Sequence, residues 1–114
     1  MEPATAVEAL GALAQEHRLA VFRELVQSGR DGLPAGRIAR LLGVPNSSLS
    51  FHLAQLSRAG LVTQQRQHRS IIYRADYAAM NALVGFLTEN CCGGAEPCAE
   101  TPVCVPAAQS PCGE

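Results

Sequence analysis

The stretch Gly43-Val44-Pro45 limits most severely what this chain can fold into. Glycine accepts the left-handed conformation that ends a helix, and a proline cannot continue one. Upstream, Pro34 suits the first turn of a short helix through Ile38 and Leu41-Leu42 that closes on Gly43. Downstream, Asn46 or Ser47 can cap another helix reaching about Ala59, with Gly60 as its stop. Two short helices joined by a Gly-containing turn form a helix-turn-helix. At roughly 100° per residue, Leu49, Leu53 and Leu56 share a narrow sector, which marks the core face of the second helix. Ser47, Phe51, Ala54, Gln55 and Arg58 take the opposite side, with Ser48 and His52 on its flanks.

The flanking sequence supplies what this motif packs against. Ala4 to Ala14 carries a helical pattern of Val7, Leu10, Leu13 and Ala14. A second helix opens at Glu16 or His17, with Leu19, Phe22 and Val26 on one stripe, and Ser28-Gly29-Arg30-Asp31-Gly32 ends it. Beyond Gly60, Leu61 to Arg66 and Arg69 to Arg74 read as two strands around a turn at Gln67-His68. That turn lacks the glycine a two-residue hairpin prefers, which points to a longer loop. Asp76 caps a last helix from Tyr77 to about Asn90, with Met80, Leu83, Val84 and Leu87 at i, i+3, i+4 and i+7. The expected fold is mainly α with a β-wing (α+β), a winged helix-turn-helix over residues 1–92. Residues 93–114 form a Cys/Pro/Gly-rich tail whose composition cannot bury enough surface to order itself.

Charge segregates along the chain. From Gly32 to Ala75 the charged residues are Arg37, Arg40, Arg58, Arg66, Arg69 and Arg74, without an acid; from Asp76 onward they are all acidic. A basic middle around a helix-turn-helix is the footprint of a phosphate-binding surface. The expected DNA-binding set is Ser47, Ser48, Ser50, Phe51, His52, Gln55 and Arg58, with Arg66, His68 and Arg69 on the wing. Serine donates or accepts at any base, Gln pairs with adenine, and a Phe edge meets a thymine methyl. Arg58, Arg66 and Arg69 hold phosphate, and His52 reads as a capping or phosphate contact. No nucleophile–base or carboxylate pair stands out, so an enzyme is not expected. Neither a basic-then-apolar N-terminal leader nor a run of about 20 apolar residues is present, and a cytoplasmic protein away from membranes is expected.

Five cysteines in a reducing compartment point to metal or redox chemistry. Cys91 and Cys92 are adjacent, and Cα atoms about 3.8 Å apart fall short of the roughly 4.4–6.8 Å of an unstrained disulfide. The pair suits a soft ion or metalloid, with Cys98 as a third thiol across the Gly93-Gly94 hinge. No basic side chain stands near to activate a nucleophilic thiolate, and Glu89 and Glu96 flank the pair.

Several runs then resemble the ArsR/SmtB winged-helix repressors: Glu16-His17-Arg18-Leu19-Ala20-Val21-Phe22, Leu41-Leu42-Gly43-Val44-Pro45, Ser50-Phe51-His52-Leu53, Ala59-Gly60-Leu61-Val62 and Tyr73-Arg74. The resemblance covers roughly Ala6 to Cys92. It implies a homodimer through the first and last helices that leaves double-stranded operator DNA when an inducer binds. The family's Cys-x-Cys arsenic site falls on Pro34 and Gly36 and is therefore absent, and a last-helix zinc site is excluded because no histidine follows His68. Leu87 to Cys92 followed by Cys98 resembles a subgroup of arsenic repressors whose last helix ends in this run. That resemblance implies As(III) or Sb(III) as inducer (arsenite, antimonite or methylarsenite), held by Cys91, Cys92 and Cys98. Cys104 and Cys112 could complete a four-thiolate site, replace Cys98 or bind nothing. A redox or Zn/Cd sensor on the same tail is the alternative, and a soft-metal scavenger a more distant one.

Overall fold

Local chemistry sets each helix boundary in the computed structural model, which describes residues 1–91. The helices are α1 (Pro3–Leu13), α2 (Glu16–Ser28), α3 (Ala35–Leu42), α4 (Asn46–Arg58) and α5 (Tyr77–Leu87). Three strands, β1 (Leu33–Pro34), β2 (Val62–Gln67) and β3 (Ser70–Ala75), form an antiparallel sheet in the order β1-β3-β2. This is the expected winged helix-turn-helix, with one strand more than the sequence announced.

Gln15 caps α2 by accepting the Arg18 N–H at 3.0 Å, and Arg18 Nε donates to the Ala12 carbonyl at 2.7 Å, which fixes the α1–α2 corner. Gly43 ends α3 at φ 65°, and the Val44 N–H reaches back to the Ala39 carbonyl at 3.1 Å. A side chain with a Cβ resists that left-handed geometry. The start of α4 differs from expectation. Pro45 is the N-cap residue, no side chain caps the helix, and Asn46 and Ser47 both lie inside its first turn. A proline preset near the required φ, at −59°, begins the helix without a side-chain acceptor.

The wing turns one residue later than expected. Gln67 pairs with Ser70, so the loop is His68-Arg69, a tight two-residue connection rather than a longer one. His68 takes φ 56°, a region that His visits more readily than most non-glycine residues. Strand β1 pairs Leu33 with Tyr73 and Pro34 with Ile72. It approaches so closely that a Cβ built on Gly32 (φ +68) would lie 2.5 Å from the Tyr73 carbonyl oxygen. Arg74 straps the sheet from outside, donating from Nε to the Arg30 carbonyl at 2.6 Å and from Nη1 to Gln65 Oε1 at 2.9 Å.

Val21, Leu25, Ile38, Leu49, Leu53, Leu56 and Leu61 are fully buried, so α2, α3, α4 and the root of β2 share one core. Each such side chain contributes about 1.5–3 kcal/mol relative to exposure. Leu49, Leu53 and Leu56 are the face the helical wheel assigned. Helix α5 starts where Asp76 Oδ1 accepts the Ala79 N–H at 3.0 Å. The Tyr77 hydroxyl donates to the Val26 carbonyl at 2.9 Å and ties α5 to α2. The helix ends at Leu87, three residues short of the expected Asn90. Thr88 donates from Oγ1 to the Val84 carbonyl at 2.8 Å, and Asn90 stands at φ 58°. Among the described residues no helix is long and apolar enough to cross a membrane.

Candidate nucleic-acid interface and thiol site

Burying Leu49, Leu53 and Leu56 aims the opposite side of α4 outward. Ser47, Ser48, Ser50 and Arg58 are exposed there, and Phe51 is 57 % exposed. A phenyl ring on that face serves no core, and it is free to meet a base methyl in a major groove. Gln55 is half-buried, with its flank toward α1 and α2. On the wing, Arg66, His68 and Arg69 are all exposed at or beside the hairpin tip. Ten candidate residues thus fall on two adjacent elements, helix α4 and the β2–β3 hairpin. Nine of them have solvent access.

His52 is the exception in exposure, and no side chain caps the start of α4. It is only 8 % exposed, and its Nδ1 is buried without a hydrogen-bond partner among the described residues. Its ring packs 5.6 Å from that of His17 on α2 and meets Phe51 edge-on at 5.8 Å. Burial, then Arg18, then His17 hold its pKa below the ordinary 6.5, so the neutral ring is favoured. The wheel had set His52 on the flank between core and groove, and the corner of α1 and α2 covers that flank. His52 therefore packs α4 against α2 through its ring contact with His17.

Two arginines with positioning roles were not singled out from the sequence. Arg18 closes the α1–α2 corner, and Arg74 holds the wing to the turn before β1. Both act through main-chain carbonyls distant in sequence or across a turn, a partnership that residue type and spacing do not announce.

At the other end of the molecule, Cys91 is exposed. Its N–H donates to the Thr88 carbonyl at 2.9 Å, so it follows the turn beyond α5 rather than sitting in the helix itself. Cys92 and Cys98 lie outside the described residues. Among the described residues no three His, Cys, Asp or Glu side chains cluster as a metal site.

Comparison with known proteins places this geometry. Residues 13–65 match the model of a helix-turn-helix domain family. The chain is 34 % identical to the HTH-type transcriptional regulator YgaV of Escherichia coli (strain K12), over 73 % of this chain and 82 % of that protein. An ArsR-like transcriptional regulator from Rhodococcus sp. RHA1 superposes with a TM-score of 0.66 at 32 % identity, covering 74 % of this chain and 76 % of the other. A possible transcriptional regulator for arsenical resistance superposes at 0.62 with 28 % identity, covering 70 % and 80 %.

Proposed function

The chain belongs to the ArsR family of winged-helix transcriptional regulators, and on that premise we propose that it is a homodimeric repressor released from operator DNA by a trivalent metalloid. The observation that carries the metalloid part is the run Cys91-Cys92…Cys98, whose first thiol stands exposed just past the end of α5. Trivalent arsenic or antimony takes three thiolates in a pyramid, and it deprotonates its own ligands without a neighbouring base. The likeness to a possible regulator of arsenical resistance supports the same reading.

Dimerisation has its own support. Val7 (68 % exposed) and Leu10 on α1, together with Leu87 (58 %) on α5, leave large apolar side chains in water at the two helices that the family resemblance assigns to the interface. Two α4 helices then enter successive major grooves about 34–36 Å apart. Ser47, Ser48, Ser50 and Phe51 read bases, and Arg58, Arg66, His68 and Arg69 hold the backbone. Capture of the metalloid draws the Gly93–Cys98 segment toward the end of α5 and changes how the interface sets the spacing of the two heads. A hundredfold loss of operator affinity requires about 2.7 kcal/mol of coupling, a small demand on three metalloid–sulfur bonds.

The test is inducer-dependent release by wild type beside Cys98→Ser. Arsenite should release the wild type and fail on the variant, while methylarsenite, with fewer open positions, should release both. X-ray absorption of protein purified from cells supplies the contrary result: four sulfurs around zinc would replace the metalloid reading with a Zn/Cd sensor.

A further inference from the structure

A cleft of about 260 Å³ opens where α1, the start of α2 and the end of α4 meet. Small residues (Gly11, Ala12 and Ala59) line it together with Glu8, Arg18, Gln55 and Arg58. A Cβ built on Gly11 meets nothing within 4 Å, so a larger side chain has room in the cleft. Its volume is just below the 300–1,000 Å³ of sites for drug-sized ligands, so the occupant it fits is the size of a small metabolite.

Two guanidinium groups against one carboxylate give the walls a net positive charge. Arg18 commits Nε to the Ala12 carbonyl, which fixes the group while its terminal nitrogens remain to donate. Among the described residues, no hydrogen bond or ion pair engages the Arg58 guanidinium or the Gln55 side-chain amide. The carbonyls at the end of α4 that would repel an anion are already occupied: Gln55 O accepts from Ala59, Leu56 O from Leu61 and Ser57 O from Gly60. Guanidinium pairs recognise carboxylates by parallel hydrogen bonds that a lysine cannot reproduce.

We propose that this cleft binds a small carboxylate anion, of the dicarboxylate class, and that its occupancy lowers operator affinity by engaging Gln55 and Arg58. An ammonium group on the ligand would find Glu8. The proposal rests on α4 being the DNA-reading helix, so its test has one arm without DNA.

In that arm, succinate is titrated into the full-length protein while the arginine side-chain N–H resonances are followed by NMR, with chloride at matched ionic strength as control. Saturable shifts at Arg18 and Arg58 are expected, and their absence overturns the proposal. Gly11→Leu fills the cleft and should abolish the shifts; as a Gly replacement within a helix it also favours folding. Glu8→Gln should tighten succinate binding several-fold, the opposite sign. In the DNA arm, saturating succinate should weaken wild-type operator binding at least tenfold and Gly11→Leu binding less than twofold. If Gly11→Leu itself loses operator affinity without succinate, the cleft serves a DNA phosphate and the small-anion site is wrong.

Discussion

Helix α4 and the end of α5 solve opposite problems. Three leucines, at 0–2 % exposure, bolt α4 to the core and His52 wedges its flank against α2, so the reading face is presented in one orientation. Helix α5 buries only Leu83 and frays through the turns at Thr88 to Asn90 into an exposed Cys91. A reader of base edges requires a rigid frame, because hydrogen bonds to bases tolerate little displacement. A sensor requires the reverse, a segment whose ordering costs little and can therefore be driven by a few ligand bonds. In the proposed repressor the inducer would act just past α5, which buries only Leu83, on reading heads held by the α4 core. The Tyr77 hydroxyl on the Val26 carbonyl ties α5 to α2.

The sharpest break in this contrast comes from matched leucine truncations. Leu53→Ala should cost about 2–5 kcal/mol in urea unfolding, whereas Leu87→Ala should stay within about 0.5 kcal/mol for the protomer and show itself in dimer dissociation measured by ultracentrifugation. Next is the reading face alone. Phe51→Ala should lower operator affinity by about 1–3 kcal/mol in fluorescence anisotropy with little change in melting temperature, because the ring is 57 % exposed and meets His52 edge-on. Smaller again is Asp76→Ala, which removes the cap of α5 and should cost about 1 kcal/mol by thermal melt. It should also lower the protection of α5 amides in hydrogen exchange before that of α4.

The smallest effect is a pH slope. His52 is held neutral in the fold, with its pKa below the unfolded 6.5, so the unfolded chain binds more protons as pH falls. Stability should therefore be fully retained above about pH 6.5 and decline as pH drops from there toward the depressed folded value. Denaturant midpoints across pH 5 to 8 measure this, and His52→Gln should flatten the slope.

What the sequence made legible follows period and punctuation. The α4 core face, the Gly43 stop and the Asp76 cap each depend on neighbours within a turn, and the structure places them as read. Strand β1 was invisible because two residues, Leu33 and Pro34, have no periodicity and pair with Tyr73 and Ile72 some 40 residues away. The wing turn slipped by one residue because no glycine pinned it, and His68 supplied the positive φ instead. The burial of His52 was not legible because a flank position is decided by whichever neighbour covers it, here His17 on α2. Of the three thiols proposed to hold the inducer, only Cys91 lies within the described residues, in the turn that follows α5.

The central claim is that thiols past α5 govern the grip of α4 on DNA. The direct measurement is fluorescence anisotropy on a labelled operator with and without stoichiometric arsenite, for wild type and the Cys91→Ser/Cys92→Ser variant. The account predicts equal operator affinity for both apo proteins, an approximately hundredfold loss for wild type with arsenite, corresponding to about 2.7 kcal/mol, and no loss for the variant. Equal release of the two proteins by arsenite would contradict it.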